Sequence, residues 1–281
     1  MIAAYGVANL LQSAAAARTT VHHTFDPSLL LRLAGQRTYL IGLLCQMLGF
    51  LFAFLARRDL PLFLVQASVA AGLGVTAVLG VLILKWSLPG AEVALLALLL
   101  GGVTALVLAA RPAHARPLGT AGIVVLAAAI AVIALLGFFA VRLHGATGSV
   151  VLGSLAGVAF SEAAIAARPL ASAHSIGALL GNPLLYLLIV SSIVGQLLLG
   201  LAMQRGSTTA AVASMDAAGA VPAAIVGLLW LGDRIEPGRG WLAALGFIVT
   251  LAAVLGLTRY AEPQHHHATA QRRTRTLTDH A

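Results

Sequence analysis

The chain has 281 residues, of which 60 % are apolar and 9 % charged, and its mean hydropathy is +0.97. A soluble domain carries about 25 % charged residues, so this chain cannot cover its own surface with polar groups and lipid must solvate it. The formal charge of +8 does not point to nucleic acid: the basic residues are spread over loop ends and the last stretch of chain rather than over one face of a folded domain, where they serve topology and contacts to anionic headgroups.

Crossing a bilayer takes about 20 apolar residues in a helix, and nothing here alternates over about 10 residues as a barrel strand would. The expected fold is therefore an all-α polytopic membrane protein of nine spans, at 2–17, 38–56, 61–84, 91–110, 119–141, 149–167, 184–203, 208–231 and 240–258. The first span, "MIAAYGVANLL", has no basic residue ahead of it and Arg18 behind it, the order of an uncleaved helix rather than a secretory signal. Its polar residues are Asn9 and Gln12. The loop that follows holds His22, His23 and Asp26; an adjacent histidine pair on a loop is a weak metal signal, and no metal site or cofactor is expected. The second span carries Gln46 and the single cysteine, Cys45, so no disulfide holds the fold.

Gln66 lies in the third span, and Glu92 opens the fourth, where a carboxylate complements the helix dipole. The sixth span contains Gly153 and Gly157, a spacing that lets helices approach closely, and then Glu162. Gln196 sits in the seventh. The eighth holds "VASMDAAGAVPAA", in which Asp216 precedes Pro222 by six residues. Trp86, Trp230 and Trp241 fall near span ends, as interfacial belt residues do. The stretch 261–281, rich in His, Arg and Thr, reads as a disordered basic tail. With the N-terminus outside, ten basic residues lie inside and seven outside, which also puts the tail in the cytoplasm of a cell-membrane protein.

An offset of 150 residues brings Gln12 onto Glu162, Arg18 onto Arg168, Gln46 onto Gln196 and Gln66 onto Asp216. After a slip of two, Pro89-Gly90 meets Pro237-Gly238. This predicts a repeat over about 1–110, an extra helix at 119–141 and a second repeat over about 149–258, within one transmembrane domain over 1–260. Equivalent spans are five helices apart and so run in opposite directions. Inverted repeats are the architecture of many secondary transporters, with the substrate site between the halves near the midplane.

The stretches "YLIGLLCQMLGFLFAFLARRDLPLFLVQ" (39–66) and "GNPLLYLLIVSSIVGQLLLGLAMQRGSTTAAVASMDAAGAVPAAIVGLLWLGDRI" (181–235) resemble the drug/metabolite transporter superfamily, EamA-like, and among its members the nine-helix NIPA-like magnesium transporters and their bacterial relatives. The helix that contains Pro222 and ends at Gly232-Asp233 is similar to the superfamily's proline helix followed by Gly-Glu. The resemblance implies a ten-helix plan of two inverted five-helix repeats, here without the opening helix. Lys85 stands where an acid is expected, and "RTTVHHTFD" replaces a lysine pair; both weigh against magnesium as the substrate.

An ionised carboxylate near the bilayer centre costs about 2.5–3.5 kcal/mol on insertion scales, so Asp216 should face other helices or water. Pro222 cannot donate to the carbonyl of Ala218, which places a helix kink and a free acceptor near that carboxylate. Asp216, Glu162, Gln66, Gln12, Asn9, Gln196 and Gln46 are the candidate transport and coupling residues. The expected function is alternating-access transport of a small molecule or ion, coupled to protons or ions through an intramembrane carboxylate. A divalent-cation carrier and a non-transporting membrane scaffold are the alternatives. No nucleophile–base constellation argues for an enzyme, and no phosphate-binding loop argues for ATP. The expected partners are the lipid bilayer, a small-molecule or cation substrate and a second copy of the chain, with no nucleic acid.

Overall fold

The computed structural model describes residues 1–16, 36–72, 75, 90–173, 175–205 and 208–256. Almost all of them are helical. In chain order the helices are α1 (Ile2–Ala16), α2 (Arg37–Ala56), α3 (Leu62–Ala70), α4 (Gly90–Ala109), α5 (Thr120–Ala140), α6 (Gly145–Leu170), the short α7 (Ile176–Leu180), α8 (Pro183–Arg205) and α9 (Thr208–Leu229), followed by α10 (Gly240–Gly256). Five helices are long and apolar enough to cross a membrane: α2, α5, α6, α8 and the Ala211–Leu229 part of α9. Val93–Ala109 of α4 and Gly240–Gly256 are shorter apolar stretches. Trp86, His22, His23, Asp26, Lys85 and the 261–281 tail lie outside the described residues.

The helices differ in what they face. Along α2, Leu40, Ile41, Leu44, Met47, Leu48, Leu51, Phe52 and Leu55 are all exposed, and α5 exposes Val124, Val125, Val132, Leu135, Phe138 and Phe139. An apolar face this large is not found open to water on a monomeric soluble protein; it is a lipid face. In contrast, 67 % of the spanning window of α6 is buried against 22 % for α2, so α6 is the central helix, packed chiefly on α8 and α9. Helix α6 runs to 26 residues, past the expected 149–167: its C-terminal end, Ala166–Arg168 and Leu170, is buried by protein, while Gly145–Thr147 at its start are exposed.

Glycine sets how close α6 and α9 come. A Cβ on Gly157 would lie 2.0 Å from the Met215 carbonyl oxygen, one on Gly153 2.5 Å from that of Ala211, and one on Gly219 2.7 Å from that of Gly157. The backbones touch there. The contacts of Gly153 with Ala211 and of Gly157 with Met215 and Gly219 advance together along both helices, so α6 and α9 run parallel. In the first half, α1 comes equally close to the chain just past the end of α3, with a Cβ on Gly6 falling 2.9 Å from the Gly72 carbonyl oxygen.

At one end of the bundle the chain forms a ribbon that hydropathy did not foretell. Ala110–Arg111 (β1) pairs antiparallel with Arg234–Ile235 (β2), tying the end of α4 to the connector after α9. Trp230 and Trp241 are exposed near this end, as expected of belt residues.

Candidate functional site

Two polar assemblies lie inside the apolar bundle. The first begins where α9 stops. Gly232 adopts φ +79°, a left-handed conformation that glycine takes without the steric cost of a Cβ. It turns the chain so that the Asp233 N–H donates to the Gly227 carbonyl at 2.9 Å. Gly227 also leaves room for the carboxylate, since a Cβ there would lie 2.4 Å from Asp233 Oδ2.

Asp233 then accepts from Arg168 Nε at 3.2 Å, from Arg168 Nη2 at 2.9 Å and from the Leu62 backbone N–H at 2.5 Å. Arg168 further donates to the carbonyls of Arg57 and Ala113. Both side chains of the ion pair are fully enclosed. Burial raises the Asp233 carboxyl pKa above its ordinary value, while the Arg168 charge and the Leu62 N–H act to lower it. Arg168 was expected at a loop end, in contact with headgroups. It is buried instead, because the ends of α2, α4, α6 and α9 and the start of α3 converge on it.

Arg57, just past the end of α2, is likewise only 3 % exposed. Its guanidinium does not reach outward to headgroups. It turns back over the Phe50 ring, 5.6 Å from the centroid, about two turns up α2. Nη2 donates to Gln66 Oε1 at 3.4 Å, and Nε and Nη1 find no partner among the described residues. Burial lowers its pKa to about 10, the Tyr5 hydroxyl opposing that shift and Arg168 adding to it, so it stays cationic at neutral pH.

The second assembly lies deeper. Asp216 is half-buried on α9, and its Oδ2 is shut off from the surface without a hydrogen-bond partner among the described residues. Glu162 on α6 is 4 % exposed, and among the described residues neither carboxylate oxygen has a hydrogen-bond partner; Ser191 of α8 lies beside it, outside hydrogen-bond geometry. Each unsatisfied buried polar group costs about 1–3 kcal/mol, and more when charged. The parallel register of α6 and α9 puts Glu162 level with Pro222 and Asp216 level with Ala156. The two acids are thus staggered by about 9 Å, six residues at 1.5 Å each. Helix α9 continues through Pro222 from Thr208 to Leu229, so the proline interrupts the hydrogen-bond ladder without ending the helix.

Tyr5 of α1 packs its ring on Gly49 of α2, where a Cβ would lie 3.1 Å away. Elsewhere, Gln46 donates to Gln196 at 3.1 Å, and Gln196 donates to the Tyr39 hydroxyl at 3.0 Å.

The predicted residues therefore divide. Gln46 and Gln196 meet each other; Gln66 meets Arg57; Glu162 is enclosed on α6 and Asp216 half-buried on the neighbouring α9. Asn9 and Gln12 lie on α1, but their side chains fall outside the described residues. Sequence reasoning missed Tyr5, Arg57 and the Arg168–Asp233 pair. Nothing in the sequence around Arg168, at the end of one apolar run, or around Asp233, which is followed by Arg234 and Glu236, signals that the two pair. Two surface depressions, of about 560 Å³ beside Pro169 and Asn182 and about 350 Å³ beside Arg111 and Arg234, are lined by neither buried acid. No protein-family model, curated protein or solved structure matches the chain, so its function is argued from this geometry.

Proposed function

We propose that the chain is a secondary transporter of the drug/metabolite type, a nine-span cell-membrane protein that moves a small molecule or ion by alternating access of two inverted halves. Asp216 and Glu162 are its coupling groups, taking up and releasing a proton or ion as the halves rock. The observation that carries this reading is the enclosed Glu162 carboxylate on α6 and the half-buried Asp216 on the neighbouring α9, of which both Glu162 oxygens and Asp216 Oδ2 lack a hydrogen-bond partner among the described residues. Intramembrane acids are costly, and a structural role would have supplied partners for their oxygens.

The contacts between offset-related residues support the inverted halves. A two-fold axis in the membrane plane brings residues near it onto their own counterparts. Gln46 bonds to Gln196, which is 150 residues away. A Cβ on Gly102 would meet the Thr250 side chain, 148 residues away and the counterpart of Gly102 after the two-residue slip. Helix α3, which bears Gln66, packs on α9, which bears Asp216.

The purified chain in sealed vesicles, given an imposed pH or sodium gradient and a panel of magnesium, amines and amino acids, should show gradient-driven flux of at least one solute. Asp216→Asn and Glu162→Gln should each reduce the gradient-driven part at least tenfold. Gradient-driven flux that survives in both variants refutes the coupling role. Magnesium as the transported solute would favour the divalent-cation carrier.

A further inference from the structure

The depression of about 350 Å³ between the α4–α5 connector and the ribbon is lined by Arg111, His114, Arg116 and Arg234, and the transport scheme makes no use of it. We infer that it is a phosphate site whose occupant is the headgroup phosphodiester of an anionic phospholipid, the acyl chains lying along the adjoining apolar face. The site is independent of what the chain transports.

The fold itself brings like charges together here. The ribbon register sets Arg111 directly opposite Arg234, a placement that costs stability between strands and that a bound anion offsets. Arg116 joins them from the connector with its stem over Gly232, where a Cβ would lie 3.1 Å from Arg116 Cγ and 3.2 Å from Nε. Backbone bonds hold the connector over the end of the bundle. The Ala113 N–H donates to the Asp59 carbonyl at 3.2 Å and the Arg116 N–H to the Leu231 carbonyl at 2.9 Å, while the Ala113 carbonyl accepts from Arg168.

All three arginines are exposed, and among the described residues none of their guanidinium groups donates a hydrogen bond or forms an ion pair. The acids of this end, Asp59 and Glu236, do not neutralise them. Arg239, nearby, is committed to the Leu108 carbonyl at 2.6 Å. Guanidinium forks with free donors around one concave surface match the oxygens of a phosphate.

What borders the depression favours lipid as the source. Val107 and Leu108 at the end of α4 and Leu229 and Trp230 at the end of α9 are exposed, so the apolar face reaches the rim. Exposed Trp230 and Trp241 mark the headgroup level, where basic pockets at helix ends hold anionic headgroups. A soluble phosphate would leave that apolar rim without a role.

Native mass spectrometry of the full-length chain, stripped of lipid in detergent and titrated with dioleoyl phosphatidylglycerol or dioleoyl phosphatidylcholine, tests the assignment. Wild type should bind the anionic lipid at least about tenfold more tightly, well within what three arginines contribute at a membrane surface. In the double variant Arg111→Gln/Arg234→Gln the preference should fall below about threefold, and Arg116→Gln should lose part of it. Arg142→Gln, at the opposite end of α5, should keep it in full. Phosphatidylglycerol should also delay thermal unfolding of wild type, as a ligand of the folded state does, and leave the double variant unmoved. Size-exclusion profiles report whether the variants fold; if the double variant does not, the wild-type comparison and Arg116→Gln still decide. Equal binding of the two lipids by wild type, or an undiminished preference in the double variant, overturns the site. Displacement of bound phosphatidylglycerol by millimolar inorganic phosphate overturns lipid as the occupant and assigns the site to a soluble anion.

Discussion

The Arg168–Asp233 pair offers a test of how the structure is held together. Asp233 accepts three hydrogen bonds, two from Arg168 and one from the Leu62 N–H, and both side chains of the pair are 0 % exposed. Asp233→Asn keeps an acceptor for Leu62 but removes the charge, so Arg168 is left buried and uncompensated. Breaking a buried pair from one side costs about 3–5 kcal/mol. Arg168→Met strands the Asp233 carboxylate and also leaves the Arg57 and Ala113 carbonyls without their donor, for a loss of similar size. In the double variant neither charge of the pair remains, so its loss should fall short of the sum of the single losses by about 2–3 kcal/mol, near the upper end for contacting residues. Unfolding of the detergent-solubilised chain by titrated dodecyl sulfate, followed through Trp230 and Trp241 fluorescence, measures all three variants. Single losses below about 1 kcal/mol, or a coupling under about 0.5 kcal/mol, would refute the claim that this pair fastens the ends of α6 and α9 to the α2–α3 turn.

At Gly157, Gly157→Ala places a Cβ 2.0 Å from the Met215 carbonyl oxygen, and a backbone neighbour cannot yield without moving α9. It should destabilise by about 1–3 kcal/mol as overpacking does, whereas Gly101→Ala, with nothing within 4 Å of the new Cβ, should leave unfolding unchanged or slightly later. For the amide pair, Gln46→Leu and Gln196→Leu should each cost only about 0.6 kcal/mol, the mean for interhelical polar contacts in a membrane; a loss above about 2 kcal/mol by the same titration would mean the pair does more than join α2 to α8.

Much of the molecule is legible without coordinates. The ratio of apolar to charged residues determines that lipid is the solvent, and the uncharged stretches between charge clusters place α2, α5, α6, α8 and α9 to within a few residues, because a bilayer of fixed thickness demands helices of fixed minimum length. Glu162 and Asp216 stand out for the same reason: a carboxylate in such a run is costly wherever it points. Even the Gly153–Gly157 spacing announces a close helix contact, since small residues four apart lie on one helix face.

Which residues meet is another matter. Arg168 and Asp233 are 65 residues apart and Gln46 and Gln196 are 150 apart, and nothing local to any of them encodes its partner. Arg57 reads as an interfacial arginine until the packing of α1, α2 and α3 turns its guanidinium inward, where Tyr5 and Gln66 wait. Hydropathy is a property of single segments, so the sequence by itself determined the solvent, the helices and the residues that are out of place in them. Pairing depends on how the segments rotate and approach, and that is set by glycine-permitted backbone contact and by the enclosed ion pair. Only the tertiary structure decided that Arg168 and Asp233 are enclosed together and that the Arg57 guanidinium folds back over Phe50.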